Sequence, residues 1–274
     1  MKIRELWPSF RRARQLRAAT LVPRAELLPV VVSLTSIPSR LPFVDLAIRS
    51  VLDQSQPPAL VVLWLHQSLQ GSVPDTLTAL LGPRFEIRFV DRNRPHCKLV
   101  HALLAFPDRT VVTCDDDVMY APTWLAELWA DSVAHPGEVI GHQGRAVAYG
   151  PDGQIRPYAE WAWETRAGGV SYPAFVPLGY GGVLYPAGVL APEVTDEQLY
   201  LELSPSNDDL WFKMMSLQAG TVSRRTTRPV PRPIPVIGAK GTALARTNIG
   251  QDKNRVQWEA LCARYGHPTP LRVD

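Results

Sequence analysis

Apolar residues recur along the chain in two alternating rhythms. Short continuous apolar runs read as buried strands, and stretches with apolar positions near a 3.6-residue period read as helices. Strands are expected over residues 29–34, 60–65, 85–90 and 110–114, with helices over 43–52, 75–81, 98–105 and 122–133. In the first helix Phe43, Ala47, Ile48, Val51 and Leu52 make the apolar stripe, and Gly82-Pro83 stops the second. Pro122 suits the opening turn of the fourth. Single helices between consecutive apolar strands imply parallel crossovers, hence an α/β nucleotide-type fold.

After about residue 137 the rhythm breaks down. Residues 144–190 are rich in Gly, Tyr, Trp and Pro, which implies loops and short strands. Helices are expected again over about 207–217 and 253–264. Between them, residues 228–235 (Arg-Pro-Val-Pro-Arg-Pro-Ile-Pro) must be extended, because each proline removes a backbone donor. The expected organisation is a basic extension, 1–28, and one catalytic domain, 29–274, with a nucleotide-binding half (29–137) and an acceptor-binding half (138–274).

Charge is uneven. The chain carries +3 over 274 residues, so a general nucleic-acid binder is not implied. Residues 1–28 hold seven basic residues against Glu5 and Glu26, leaving the remainder at −2. Trp7, Phe10, Leu16, Leu21 and Val22 are interspersed with these arginines. The segment is either a basic amphipathic helix resting on an anionic membrane or a solvated or partner-bound extension. No stretch approaches the ~18 apolar residues of a membrane span. Cys97, Cys114 and Cys262 are odd in number and widely spaced, so a disulfide framework is not expected, and a reducing cytoplasm is.

The chemistry concentrates after the fourth strand. Asp115, Asp116 and Asp117 follow Val111-Val112-Thr113-Cys114. In open α/β sheets ligands sit beyond the carboxyl ends of strands. Aspartates also end strands and cap helices. Three in a row, however, repel one another, and a divalent cation such as Mn²⁺ or Mg²⁺ would remove that conflict. Asp208 and Asp209 open a helix after Ser206-Asn207. Ser206 with Asp209 forms a capping-box pattern, and a carboxylate fixed there also suits a general base. Trp211, Met214 and Met215 read as the buried face of that helix. Gly179-Tyr180-Gly181-Gly182 is a tight turn or a close backbone approach to a ligand. Trp163 and Tyr180 have faces that suit a sugar ring, although aromatics more often fill cores. Arg40 and Asp91 each follow a strand, and Lys98 opens a helix, where a cation opposes the dipole.

Taken together these segments resemble glycosyltransferases of the GT-A fold, family 2 in style. The resemblance rests on residues 32–40 (Val-Ser-Leu-Thr-Ser-Ile-Pro-Ser-Arg), residues 48–54, Lys98-Leu99-Val100-His101-Ala102-Leu103 and Thr113-Cys114-Asp115-Asp116-Asp117. Gly181-Gly182 and Asn207-Asp208-Asp209-Leu210 complete it, so that it spans about residues 30–220. It implies a Rossmann-like α/β fold with a mainly parallel central sheet. It also implies a nucleotide-sugar donor bound through Mn²⁺ or Mg²⁺, and a glycan or glycolipid acceptor. Donor contacts then fall to Thr35, Arg40, Asp91, Lys98, Asp115 and Asp116, and metal ligation to Asp115 and Asp117. Acceptor contacts fall to Tyr180, Gly181, Gly182 and Trp163, and base catalysis to Asp209 beside Asp208. The implied activity is inverting transfer in cell-surface polysaccharide or lipopolysaccharide synthesis, on the cytoplasmic side and peripheral to the membrane.

Two departures bear on this expectation. Family 2 members often carry an acidic residue after the second strand; here Leu65-His66-Gln67 stands there, and Asp91 is the substitute. The Gln-X-X-Arg-Trp signature of processive synthases is absent. A sugar-phosphate nucleotidyltransferase is the alternative enzyme, although Thr35-Ser36-Ile37-Pro38 replaces the glycine-rich loop such enzymes carry after the first strand. A non-catalytic carbohydrate-binding protein is the third reading.

Overall fold

The computed structural model describes residues 3–21, 26–166, 169–228, 230–239 and 250–268. Val22 and Arg24 of the basic extension and Pro229 of the proline run lie outside the described residues. The chain forms two compact units, Met1–Ala130 with Val230–Gly241 and Asp131–Pro229 with Thr242–Asp274. The first unit therefore ends before the sequence-based midpoint at residue 137, and the proline-rich segment returns to it.

The first unit opens with α1 (Ile3–Ala18), so the basic extension is helical over its described first part. β1 (Leu28–Thr35) follows, with Val30, Val31, Val32 and Leu34 at most 1% exposed. A strand flanked on both faces must be apolar throughout, and this continuous run satisfies that. α2 (Val44–Leu52), β2 (Pro58–His66), α3 (Asp75–Thr78), β3 (Phe85–Val90), α4 (Cys97–Ala105) and β4 (Thr110–Thr113) continue the alternation. α3 is shorter than the expected 75–81. Gly82 bridges back to Phe85, and Leu81 is left exposed.

These strands lie in the order β3-β2-β1-β4, and every pairing is parallel. The α/β class with a parallel nucleotide-type sheet is thus as expected. The order has a consequence for function. From β1 the chain moves outward through β2 and β3, then returns to β4 on the other side of β1. The crevice beyond the carboxyl ends of β1 and β4 is a topological switch point, where such sheets bind ligands. The loop after β4 leads into β5 (Val118–Met119), which pairs antiparallel with the returning strand Ile234–Pro235. Val236 N–H also bonds Asp117 O at 2.8 Å, so the proline run clamps the loop carrying the aspartates. α5 (Trp124–Ala134) comes next.

The second unit has a mixed sheet and a small antiparallel one. β6 (Val139–Gly141), β7 (Gly144–Ala146), β8 (Ala162–Trp163), β9 (Val170–Tyr172), β10 (Phe175–Pro177) and β11 (Val183–Tyr185) are all short, as the composition of 144–190 implies. β7 pairs with β8 and β10. At Gly144 a Cβ would stand 2.2 Å from the Phe175 ring, so only glycine fits that crossing. α6 (Glu197–Leu203), α7 (Asp208–Gln218), β12 (Ser223–Arg225) and α8 (Lys253–Tyr265) complete the unit. β6 pairs parallel with β12 and antiparallel with β11, and β12 pairs antiparallel with β9. The three cysteines are free and buried.

Candidate active site

At the switch point of the first unit, two short loops meet. After β1 the chain makes only Ser36 and Ile37 before a 3₁₀ turn, Pro38–Arg40. After β4 it makes Cys114 and the three aspartates. Ser36 Oγ donates to Asp116 Oδ2 at 2.5 Å, and Arg40 Nη1 donates to the other oxygen of the same carboxylate. Arg40 Nη2 stands 3.2 Å from Asp117 Oδ2, so one guanidinium bridges two adjacent carboxylates. A planar fork of donors suits that bridging, which a lysine could not reproduce.

The third carboxylate has its own cation. Lys98 Nζ donates to Asp115 Oδ1 at 2.9 Å. Lys98 sits in the first turn of α4, and its backbone carbonyl accepts from Ser33 Oγ within β1. Trp64 Nε1 in turn donates to Ser33 Oγ at 2.8 Å, locking β1, β2 and α4 together under the site. Asp115 N–H donates to Tyr120 Oη at 2.9 Å, which fixes the start of the carboxylate loop. Thr35 Oγ1 donates to Trp64 O at 3.0 Å and so braces the end of β1.

Charge in this cluster is strained by burial. Asp116 is 4% exposed, and loss of water raises its pKa against the opposing pull of Arg40 and Ser36. Asp117 is pushed up to about 6, first by burial and then by the charge of Asp115, with Arg40 acting in the other direction. Burial alone would lower the pKa of Arg40, but Asp116 and Asp117 outweigh it and raise it. Repulsion between Asp115 and Asp117 is the conflict a dication relieves. Among the described residues no group of three or more His, Cys, Asp or Glu side chains is arranged to hold a metal ion. Magnesium commonly takes one or two carboxylates and completes its shell with water and substrate phosphate. A dication held by Asp115 and Asp117 would have to complete its shell in that way.

Asp91 is not drawn into this cluster. It follows β3, two strands from β1 and so on the order of 10 Å away across the sheet. Its carboxylate is exposed and lies 3.5 Å from its neighbour Arg92.

The second unit gathers the remaining candidates. Asn207 caps α7, its side chain accepting from Leu210 N–H at 3.1 Å. The capping residue is therefore Asn207, where the expected capping box would have Ser206. Ser206 is one residue too early and bonds Gln257 on α8 instead. Asp209 Oδ1 accepts from Gly179 N–H at 2.9 Å. Asp208 is buried, as are Trp211, Met214 and Met215 behind it.

Gly179–Gly181 form a 3₁₀ turn, and Gly182 has φ +92°, which a side chain would strain. A Cβ on Gly181 would meet Gln143 at 3.0 Å. These glycines therefore have structural reasons of their own. Tyr180 is half-buried in the same turn. Trp163 is 41% exposed and lies over the Arg145 guanidinium at 4.5 Å. Arg145 also lies 4.8 Å from the ring of Tyr158. Burial, partly offset by Arg145 and reinforced by the charge of Asp209, pushes the Tyr158 phenol up to about 12. Arg145, Tyr158 and Ser36 are residues that sequence reasoning did not single out. Only Ser36 had a signal, its place between β1 and Arg40.

No family profile and no curated protein matches the chain. Among solved structures it is similar to 4-diphosphocytidyl-2C-methyl-D-erythritol synthase from Anaerococcus prevotii, at 9% identity and a TM-score of 0.46, covering 85% of this chain and 96% of that one. It is also similar to CMP:2-keto-3-deoxy-manno-octonic acid synthetase complexed with CTP, at 15% identity and a TM-score of 0.47, covering 88% and 99%. Both are named as makers of cytidine-nucleotide compounds, and neither is named as a family 2 glycosyltransferase.

Proposed function

We propose that the chain is a transferase acting on a nucleotide-activated sugar, and that its reaction is transfer of the sugar to an acceptor hydroxyl. The observation that supports this best is the bridging of Asp116 and Asp117 by Arg40, beside the Lys98–Asp115 pair, at the ends of β1 and β4. Two cations and three carboxylates at a switch point suit a diphosphate and its counter-ion. Lys98 and Arg40 would bind the phosphate oxygens, with Thr35 and Asp91 towards the nucleoside. Asp115 and Asp117 would hold Mn²⁺ or Mg²⁺, whose charge favours the leaving diphosphate. Asp209, oriented by Gly179 N–H, would accept the proton of the acceptor hydroxyl. Tyr180, Gly181, Gly182 and Trp163 would line the acceptor, a glycan or glycolipid of the cell surface.

A second reading takes up what the two solved proteins are named for: a sugar-phosphate nucleotidyltransferase using CTP or a related triphosphate. Against it stands the glycine-free Ser36-Ile37 loop, whose Ser36 is already bonded to Asp116. One experiment separates the two. The chain is incubated with Mn²⁺ and either nucleotide sugars plus glycan acceptors or nucleoside triphosphates plus sugar phosphates. Release of a nucleoside diphosphate in the first set supports sugar transfer. Release of pyrophosphate in the second set overturns it in favour of nucleotidyl transfer.

A further inference from the structure

α1 is anchored to the first unit by one face. Ser9 Oγ donates to Pro235 O at 2.6 Å, Leu16 is buried against Leu46, Met119, Val236 and Ala239, and Arg17 forms two 3.1 Å bonds to Asp45. Arg12 lies 3.9 Å from Asp53 on the same side. The opposite face carries Trp7, Phe10, Arg11 and Arg14, spaced i, i+3, i+4 and i+7, which puts all four on one stripe. Trp7 is 72% exposed and Phe10 58% exposed. Arg11 and Arg14 are also exposed and make no ion pair with any described residue.

We propose that this outer stripe of α1 docks on an anionic lipid surface, Trp7 and Phe10 entering the headgroup boundary and Arg11 and Arg14 binding lipid phosphates. Charge decides the occupant. Two of the helix arginines neutralise acidic groups of the first unit, while the two on the outer stripe flank bare aromatic rings. Aromatics at the interface with arginines reaching headgroups make a surface-lying helix. Among the described residues no helix is long and apolar enough to cross a membrane, so the contact is peripheral. This inference stands apart from the proposed reaction, because none of these four residues belongs to the candidate site.

The test is sedimentation of the full chain with vesicles of phosphatidylcholine alone or with 30% (about a third) phosphatidylglycerol. The wild type is expected to pellet with the anionic vesicles and to be released by high salt. Trp7→Ala/Phe10→Ala should weaken binding by more than about tenfold. Arg11→Gln/Arg14→Gln should remove the preference for anionic lipid. Circular dichroism should show both variants folded like the wild type, since all four side chains are exposed. Failure of the wild type to pellet, or undiminished wild-type binding by both variants, overturns the proposal. Dimerisation seen by light scattering that the aromatic variant abolishes, without vesicle binding, overturns it in favour of a second copy on the same face.

Discussion

The guanidinium of Arg40 holds the carboxylates of Asp116 and Asp117 together, although Asp116 lies 76 residues away along the chain from its own position after β1. Asp116 is nearly inaccessible, so its charge depends on Arg40 and Ser36. Removing one member of a buried pair strands the other at a cost of ~3–5 kcal/mol. Arg40→Ala should therefore lower stability by about that amount in urea unfolding. Adding Asp116→Asn should recover most of the loss, because the neutral amide no longer needs a cation. Additive losses in that double-mutant cycle would show that the two side chains do not act as a pair.

Lys98 offers the opposite balance. It is buried, while Asp115 is about a third exposed and can be solvated once its partner is gone. Lys98→Met should leave the thermal midpoint within a few degrees of wild type. It should weaken binding of a nucleoside diphosphate by about 10- to 100-fold, the worth of one charged hydrogen bond. Calorimetric titration with and without Mn²⁺ measures the binding, and a thermal unfolding scan measures the midpoint.

Asp209→Asn keeps an oxygen to accept from Gly179 N–H, so the turn should stay in place. A general base typically contributes 10²–10⁴-fold. Transfer to an acceptor should fall by roughly that factor, with donor binding unchanged. Full turnover in the variant would remove Asp209 from the role of base.

Lys213 is 2% exposed, and burial lowers its pKa to about 7, with Ser223 Oγ at 3.0 Å as its hydrogen-bond partner. Between about pH 7 and the unfolded lysine value near 10.4, the unfolded chain binds this proton and the folded chain does not. Stability from this group therefore rises with pH through that window, and below it the burial of the charge is a constant cost. Lys213→Met should thus gain most against wild type near pH 6, and the advantage should shrink by about 1–3 kcal/mol by pH 9. Urea unfolding at both pH values reads the difference. A gap that stays the same from pH 6 to pH 9 would mean that Lys213 remains charged in the folded state.

Periodicity alone carried the alternation of the first unit and the last helix of the second. The strand expected over 29–34 is Leu28–Thr35, and the helix expected over 253–264 is Lys253–Tyr265. Such elements are legible because burial on one or both faces imposes a repeat on neighbouring positions. The short helix Glu197–Leu203 was not legible, since seven residues hold too few turns for a period to show. The proline run over 228–235 had to be extended, yet nothing in it says that Ile234 pairs with Met119 and clamps the aspartate loop.

The candidate site divides in the same way. Three consecutive aspartates after an apolar run advertise themselves, because like charges at that density need an explanation within the same few residues. Which cation answers each of them does not. Arg40 meets Asp116 and Asp117, and Lys98 meets Asp115, only because β1 lies between β2 and β4. Likewise Asn207 rather than Ser206 caps α7, because Gln257 from α8 takes up Ser206. Local chemistry is written in adjacent residues. Pairing across the chain is set by strand order and helix packing, which bring together groups that no spacing along the sequence relates.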